Sequence, residues 1–157
     1  MPDVLSLDEA VAYRHQLKAQ GKTLVVTNGC FDILHRGHAS YLAEARKLGD
    51  ALLVLVNSDA SVRALKGPSR PVNAENDRAY LLTQLKAVDK AVIFDNSRCD
   101  KELDALAPDV YAKAGDYTLE KLDASERAAL EKNQVKIVFM PFVGGFSTTK
   151  VIEKMKR

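Results

Sequence analysis

The chain has 157 residues, 46% of them hydrophobic and 28% charged, with 23 basic against 21 acidic side chains and a formal net charge of +2. That balance excludes a disordered chain, and it supplies no electrostatic reason to expect nucleic acid or an anionic membrane as partner. The two cysteines, Cys30 and Cys99, form no C-x-x-C pair, which argues against a disulfide framework or a dithiol metal site. The first ten residues lack an apolar h-region, and no apolar run approaches the roughly 20 residues of a membrane span, so a cytoplasmic protein is expected.

Ser6 and Glu9 have capping-box spacing and Gly21 is a natural stop, predicting a helix between them with Leu7, Ala10, Val11 and Leu17 on one face. The β-branched run at 23–27 reads as a buried strand. A helix over 37–48 places Tyr41, Leu42, Ala45 and Leu48 inward, and a second strand follows at 51–56. A short helix at 61–65 leads into the segment 66–71, which two prolines and a glycine mark as loop. A long helix then runs to about Val88, with Leu81, Leu82, Leu85 and Val88 as its apolar stripe. Strands at 91–94, 109–113 and 135–140 alternate with helices at 101–106 and 119–132, and a last helix begins at Ser147. Alternating strands and helices imply right-handed crossovers. The expected architecture is one α/β domain over residues 1–157, Rossmann-like and doubly wound, with a mostly parallel five-stranded sheet.

In open α/β sheets, ligands bind beyond the carboxyl ends of the strands, where strand order reverses. Three unusual segments fall at such ends: 28–38, 113–117 and 144–149. His35 and His38, three residues apart at a helix start, can both donate to phosphate oxygens without a permanent charge. Gly37 between them lets phosphate approach the backbone, where the helix offers free N–H groups and its positive dipole end. The competing reading is two incidental surface or capping histidines; a zinc pair is a further alternative that lacks a convincing third ligand. The segment Gly144-Gly145-Phe146-Ser147-Thr148-Thr149 repeats the logic of glycine followed by a hydroxyl-bearing helix start, although an ordinary helix cap has the same composition. Lys66, Arg70 and Arg78 add positive charge for a triphosphate or an acceptor phosphate, against the alternative of solvated surface. Asp32 and Asp116 can serve a metal-bound phosphate or a sugar hydroxyl, or simply form turns and caps. There is no G-x-x-x-x-G-K-[ST] and no G-x-G-x-x-G, which disfavours a P-loop kinase and a dinucleotide oxidoreductase.

Asn28 to His38, ending in the H-x-G-H of His35 to His38, resembles the first motif of the cytidylyltransferase-like nucleotidyltransferases, and Ser147-Thr148-Thr149 resembles their second. Thr27 to Asp32, Asn57-Ser58-Asp59, Leu65-Lys66-Gly67 with Arg70-Pro71-Val72, and Lys113 to Tyr117 are similar to the adenylyltransferase domains of bacterial ADP-heptose synthesis, over nearly the whole chain. Ala114 stands where that family has a second glycine, and 121–130 is charged and alanine-rich where it often carries Val-Gly. The cytidylyltransferases acting on glycerol phosphate carry an arginine five residues before the serine of the second motif; Phe142 stands there here.

The resemblance implies ATP and a heptose 1-phosphate as substrates, ADP-heptose and pyrophosphate as products, and magnesium bound with the nucleotide. Catalytic roles are expected for His35, His38, Lys66 and Thr148. Nucleotide contacts are expected from Asn28, Gly29, Cys30, Phe31, Gly37, Asp116, Ser147, Thr148 and Thr149. Acceptor contacts are expected from Asp32, Arg70, Arg78, Lys113 and Phe142. No protein residue is assigned as a metal ligand, and a homo-oligomer is left open. CTP with glycerol 3-phosphate is the alternative substrate pair, and a non-catalytic nucleotide-binding regulatory module is the alternative of a different class.

Overall fold

A computed structural model describes residues 1–115, 118–141 and 145–157. The order of elements is β1 (Val4–Leu5), α1 (Leu7–Ala19), β2 (Leu24–Gly29), α2 (Arg36–Arg46), β3 (Ala51–Asn57), α3 (Asp59–Lys66), α4 (Glu75–Thr83) and β4 (Lys90–Phe94), then α5 (Asp100–Leu106), β5 (Val110–Ala114), a 3-10 turn (Leu119–Lys121), α6 (Ala124–Lys132), β6 (Lys136–Met140) and α7 (Thr148–Met155). Ser6 caps α1 as its spacing predicts, with Glu9 N donating to Ser6 Oγ and Ser6 N donating to Glu9 Oε2.

All strand pairs are parallel and the sheet order is β1-β4-β3-β2-β5-β6. The sheet therefore has six strands rather than the expected five. The additional strand is the pair Val4–Leu5, aligned with Ala91 and Val92 at the sheet edge. Two residues are too few to show a period, so only the distant partner β4 makes them a strand.

The strands alternate between two apolar layers. Leu24, Val26, Leu53 and Leu55 pack with Ala10 and Leu17 of α1, Leu103 of α5 and Leu130 of α6. Val25, Leu52, Val54 and Val56 pack with Tyr41 and Leu42 of α2 and with Ala79 and Leu82 of α4. Every residue of β3 is buried, as expected for a central parallel strand covered by helices on both faces.

Two helices differ from expectation. α4 stops at Thr83, and the chain reaches Val88 through successive turns, Leu85 N to Leu82 O and Val88 N to Leu85 O. Within the helix Leu81 is exposed rather than part of the expected apolar stripe, while Leu82 and Val88 are buried. The polar segment 119–132 is broken, because Asp123 accepts from the backbone N–H groups of Ser125 and Glu126 and so starts α6 afresh. Among the described residues, no helix is long and apolar enough to cross a membrane.

Strand order reverses at β2: the chain leaves β2 for β3 on one side and later places β5 on the other. The crevice between the ends of β2 and β5 is thus the topological switch point, and the site lies there.

Candidate active site

A cavity of about 740 Å³ opens beyond the carboxyl ends of the strands. It is lined by Asn28 to Asp32 after β2, by His35, Gly37 and His38 at the start of α2, by Lys66 and Arg70, by Lys113 at the end of β5, and by Ser147 to Thr149 at the start of α7. Segments far apart in sequence are held together: Thr148 Oγ1 donates to the carbonyl of Ile33 at 3.2 Å, fixing α7 against the loop before α2.

The two histidines are stacked, with ring centroids 3.8 Å apart and planes at 22°. His35 is the N-cap of α2, and its Nδ1 accepts from Gly37 N at 3.1 Å. Since Nδ1 holds a lone pair there, the proton of the neutral ring sits on Nε2. His38 meets the edge of Phe31 at 5.2 Å, and its Nδ1 is buried with no hydrogen-bond partner among the described residues. Burial, reinforced by the neighbouring His35, brings the His38 pKa down to about 4; burial lowers that of His35 as well. Both rings are therefore neutral near pH 7. The site offers imidazole N–H donors rather than fixed cations, consistent with hydrogen bonding to phosphate.

Two glycines are required sterically. Phe31 has φ of 48°, an uncommon value for a residue with a side chain, and its ring covers Gly29 so closely that a Cβ there would lie 2.8 Å from Phe31 Cε2. A Cβ on Gly37 would lie 2.8 Å from Phe146 Cβ and 2.9 Å from the His35 ring. Gly37→Ala should change the melting temperature little, because the helix preference for alanine over glycine, about 1 kcal/mol, offsets the strain of moving a neighbouring side chain. It should nevertheless displace His35 or Phe146, with a loss of up to about 10²-fold in kcat/KM, the scale of an ångström-sized misplacement. Steady-state kinetics beside a thermal melt checks this; unchanged kcat/KM would show that the phosphate does not use this approach.

The low His38 pKa has a consequence for stability. An unfolded histidine titrates near 6.5 and the folded one near 4, so between those values the unfolded state binds more protons. Stability of the unliganded protein should fall as pH drops from about 6.5 to about 4, and His38→Ala should flatten that part of the profile relative to wild type. Denaturant unfolding of both proteins at several pH values measures the difference; parallel profiles would place the His38 pKa at its ordinary value.

Several expected ligand contacts have other roles. Arg78 is fully buried: Nε donates to Asn73 O, Nη1 to Cys30 O and Asn57 O, and Nη2 to Asp59 Oδ1. It braces the ends of β2 and β3, and among the described residues it does not line the cavity, so its donors are spent on the protein itself. Asp32 is 2% exposed and accepts from Arg70 Nε and from the amides of Val72 and Asn73. Burial raises its pKa, but the Asn73 and Val72 amides and the Arg70 guanidinium outweigh that and hold it below the usual carboxylate range. Its charge is thereby balanced within the protein, and it staples the loop at 70–73 while also lining the cavity. Arg70 is tied to Asp32 through Nε and also lines the cavity. Burial pushes the Cys30 thiol up, against the pull of Lys66, Arg78 and Arg70, so this side chain is a neutral wall and not a nucleophile.

Ser147 Oγ accepts from Lys150 N at 3.0 Å, capping α7. The polar groups that this helix start can turn to a ligand are the N–H groups of its first turn and the Thr149 hydroxyl, beside the cavity that Ser147 to Thr149 line. Asp116 and Phe142, and with them Tyr117 and Gly144, lie outside the described residues. Among the described residues no third metal-ligating side chain joins His35 and His38.

The cavity also holds residues that sequence reasoning passed over. Phe146, 41% exposed, lies parallel to His35 at 6.3 Å and under the Arg36 guanidinium at 6.0 Å. Glu126 and Ser97 line the opposite wall. Glu126 sits in the charged, alanine-rich stretch before β6, where nothing in the spacing separates a buried carboxylate from its solvated neighbours.

An all-parallel switch-point crevice, with two neutral histidines at one helix start and a hydroxyl-rich second helix start facing the same cavity, defines a nucleotidyltransferase. A family model described as Cytidylyltransferase-like matches residues 26–154, and the chain belongs to that family. It is 48% identical over 153 residues to the Bifunctional protein HldE of Campylobacter fetus, covering 98% of this chain and 31% of the relative. It is 44% identical over 156 residues to the protein of the same name from Helicobacter pylori (strain ATCC 700392 / 26695), covering 99% of this chain and 32% of the relative. The chain thus spans about a third of the length of these curated relatives. Among solved structures, the lipopolysaccharide core biosynthesis protein from Thermoplasma volcanium GSS1 matches with a TM-score of 0.63 at 32% identity, over 78% of this chain and 98% of that one.

Proposed function

We propose that this nucleotidyltransferase transfers AMP from ATP to a heptose 1-phosphate, forming ADP-heptose and releasing pyrophosphate. The observation that carries the transfer chemistry is the convergence of His35, Gly37 and His38 with Ser147 to Thr149 on one cavity. Support for the sugar comes from the resemblance to ADP-heptose adenylyltransferase domains and from the likeness to a lipopolysaccharide core biosynthesis protein.

An acceptor phosphate oxygen, already anionic at neutral pH, attacks the α-phosphorus in line. A P–O bond to the acceptor forms as the bond to pyrophosphate breaks, and no strong general base is needed. The protein's task is to position the two substrates and to stabilise charge on the oxygens around phosphorus. His35 Nε2–H, oriented by the Gly37 bond, and the neutral His38 ring donate to those oxygens. The start of α7 holds the leaving pyrophosphate. Lys66, exposed at the end of α3, and the Arg70 terminal amino groups meet the remaining phosphate charge from the loop stapled by Asp32. Asp32 is fully engaged by Arg70 and backbone amides, so this donor set suits magnesium carried on substrate oxygens rather than on protein carboxylates. When bound, the ion neutralises phosphate charge.

The deciding experiment follows pyrophosphate release, with magnesium, across a panel of triphosphates and sugar phosphates. ATP with a heptose 1-phosphate should give the highest kcat/KM. Faster turnover of CTP with glycerol 3-phosphate would overturn the substrate assignment, and absence of turnover with every pair would favour a non-catalytic nucleotide-binding module.

A further inference from the structure

Glu126 belongs to α6, on the far side of β5 from the histidines, and is 3% exposed, yet it lines the cavity. Its Oε2 accepts from Cys99 N at 3.2 Å and from Cys99 Sγ at 2.9 Å, so half of the carboxylate anchors the start of α5. The printed bonds engage Oε2 alone among the described residues, and Glu126 lines the cavity. Burying a carboxylate only to cap a helix is costly when a neutral side chain would do, which leaves the second oxygen to be explained.

The same cavity holds a complementary donor. The Tyr111 hydroxyl, beside the Cys99 sulfur, donates to Asn28 Oδ1 at 2.5 Å. That bond occupies the Asn28 carbonyl oxygen, so the group Asn28 has left to offer a ligand is its amide N–H donor, and Asn28 also lines the cavity. Glu126, held by Cys99, and Asn28, held by Tyr111, therefore bring an anchored acceptor and an anchored donor to the same cavity. Phosphate would be repelled by the carboxylate. Hydroxyl groups, each able to donate to Glu126 and accept from Asn28, match the pair.

We propose that Glu126, with Asn28, recognises vicinal hydroxyls of a bound sugar and thereby sets specificity. The inference rests on the nucleotidyl-transfer reading, and the sugar belongs either to the nucleotide's ribose or to the acceptor. Glu126→Gln is the informative variant, because its carbonyl oxygen can still accept from Cys99 N while the ligand-facing oxygen is replaced by an amide. Calorimetric titration of wild type and E126Q with ATP, 2′-deoxy-ATP and 3′-deoxy-ATP is paired with KM measurements for the sugar phosphate. CTP and its deoxy analogues replace the adenine set if CTP is the nucleotide that binds.

If the ribose is the target, wild type prefers the hydroxylated nucleotide over a deoxy analogue by about tenfold or more, and E126Q abolishes that preference. If the acceptor is the target, nucleotide affinities are unchanged and KM for the sugar phosphate rises about tenfold or more in E126Q. A folded E126Q with both unchanged overturns the proposal, as does a lowered melt with hydroxyl discrimination and acceptor KM intact, which assigns Glu126 to the α5 cap alone. The nucleotide arm needs no turnover, so failure of the acceptor assignment would be seen separately.

Discussion

Replacing His38 by alanine is expected to lower kcat about 10²–10³-fold, the usual cost of losing one donor aimed at charge that develops in the transition state. ATP affinity should change by only a few-fold, since such a donor contributes little to the ground state and Gly37 and both helix starts remain. The fold should survive. Alanine removes the ring contacts to Phe31 and His35, but it also removes the buried Nδ1 that has no partner among the described residues. An unsatisfied buried acceptor costs about 1–3 kcal/mol, so the two effects oppose each other. The measurement is kcat, the ATP dissociation constant and the thermal melt of the variant beside wild type. Near-normal turnover would reduce His38 to a packing residue, and a collapsed melt would make it structural.

Arg78→Met should act in the opposite way, on stability before chemistry. The side chain has no solvent exposure and ties Asn73 O, Cys30 O and Asn57 O to Asp59. Methionine keeps much of the volume and leaves these acceptors and the Asp59 carboxylate without their donor. Leaving buried carbonyls unpaired costs about 1–3 kcal/mol each, so a loss on the order of 3–5 kcal/mol is expected even though Asp59 keeps some solvent. For a chain of this size that corresponds to a fall in melting temperature on the order of 10 °C. Arg70→Met, by contrast, removes a cation that lines the cavity and should mainly weaken substrate binding. Denaturant and thermal unfolding of both variants separates the two arginines; an Arg78→Met melt within a degree or two of wild type would show that the three carbonyls find other partners.

The sequence by itself determined most of the architecture and the half of the candidate site built from helix starts. Capping at Ser6, the β-branched runs and the regular alternation of strand and helix are local signals, each set by side-chain entropy or backbone geometry within a few residues. The H-x-G-H of His35 to His38 and the Ser147-Thr148-Thr149 start of α7 are legible for the same reason, because a helix terminus that binds an anion is built from consecutive residues. Only the tertiary structure decided which charges are available. Arg78, Arg70 and Lys66 are alike in sequence, but they are respectively buried under three carbonyls, half committed to Asp32, and exposed at the cavity. Asp32 looks free for a ligand and is tied to the loop at 70–73, while Glu126 looks like helix surface and lines the cavity. The edge strand Val4–Leu5 likewise exists only through β4. In each case the deciding quantity is desolvation and pairing by residues distant in the chain, to which local composition is blind.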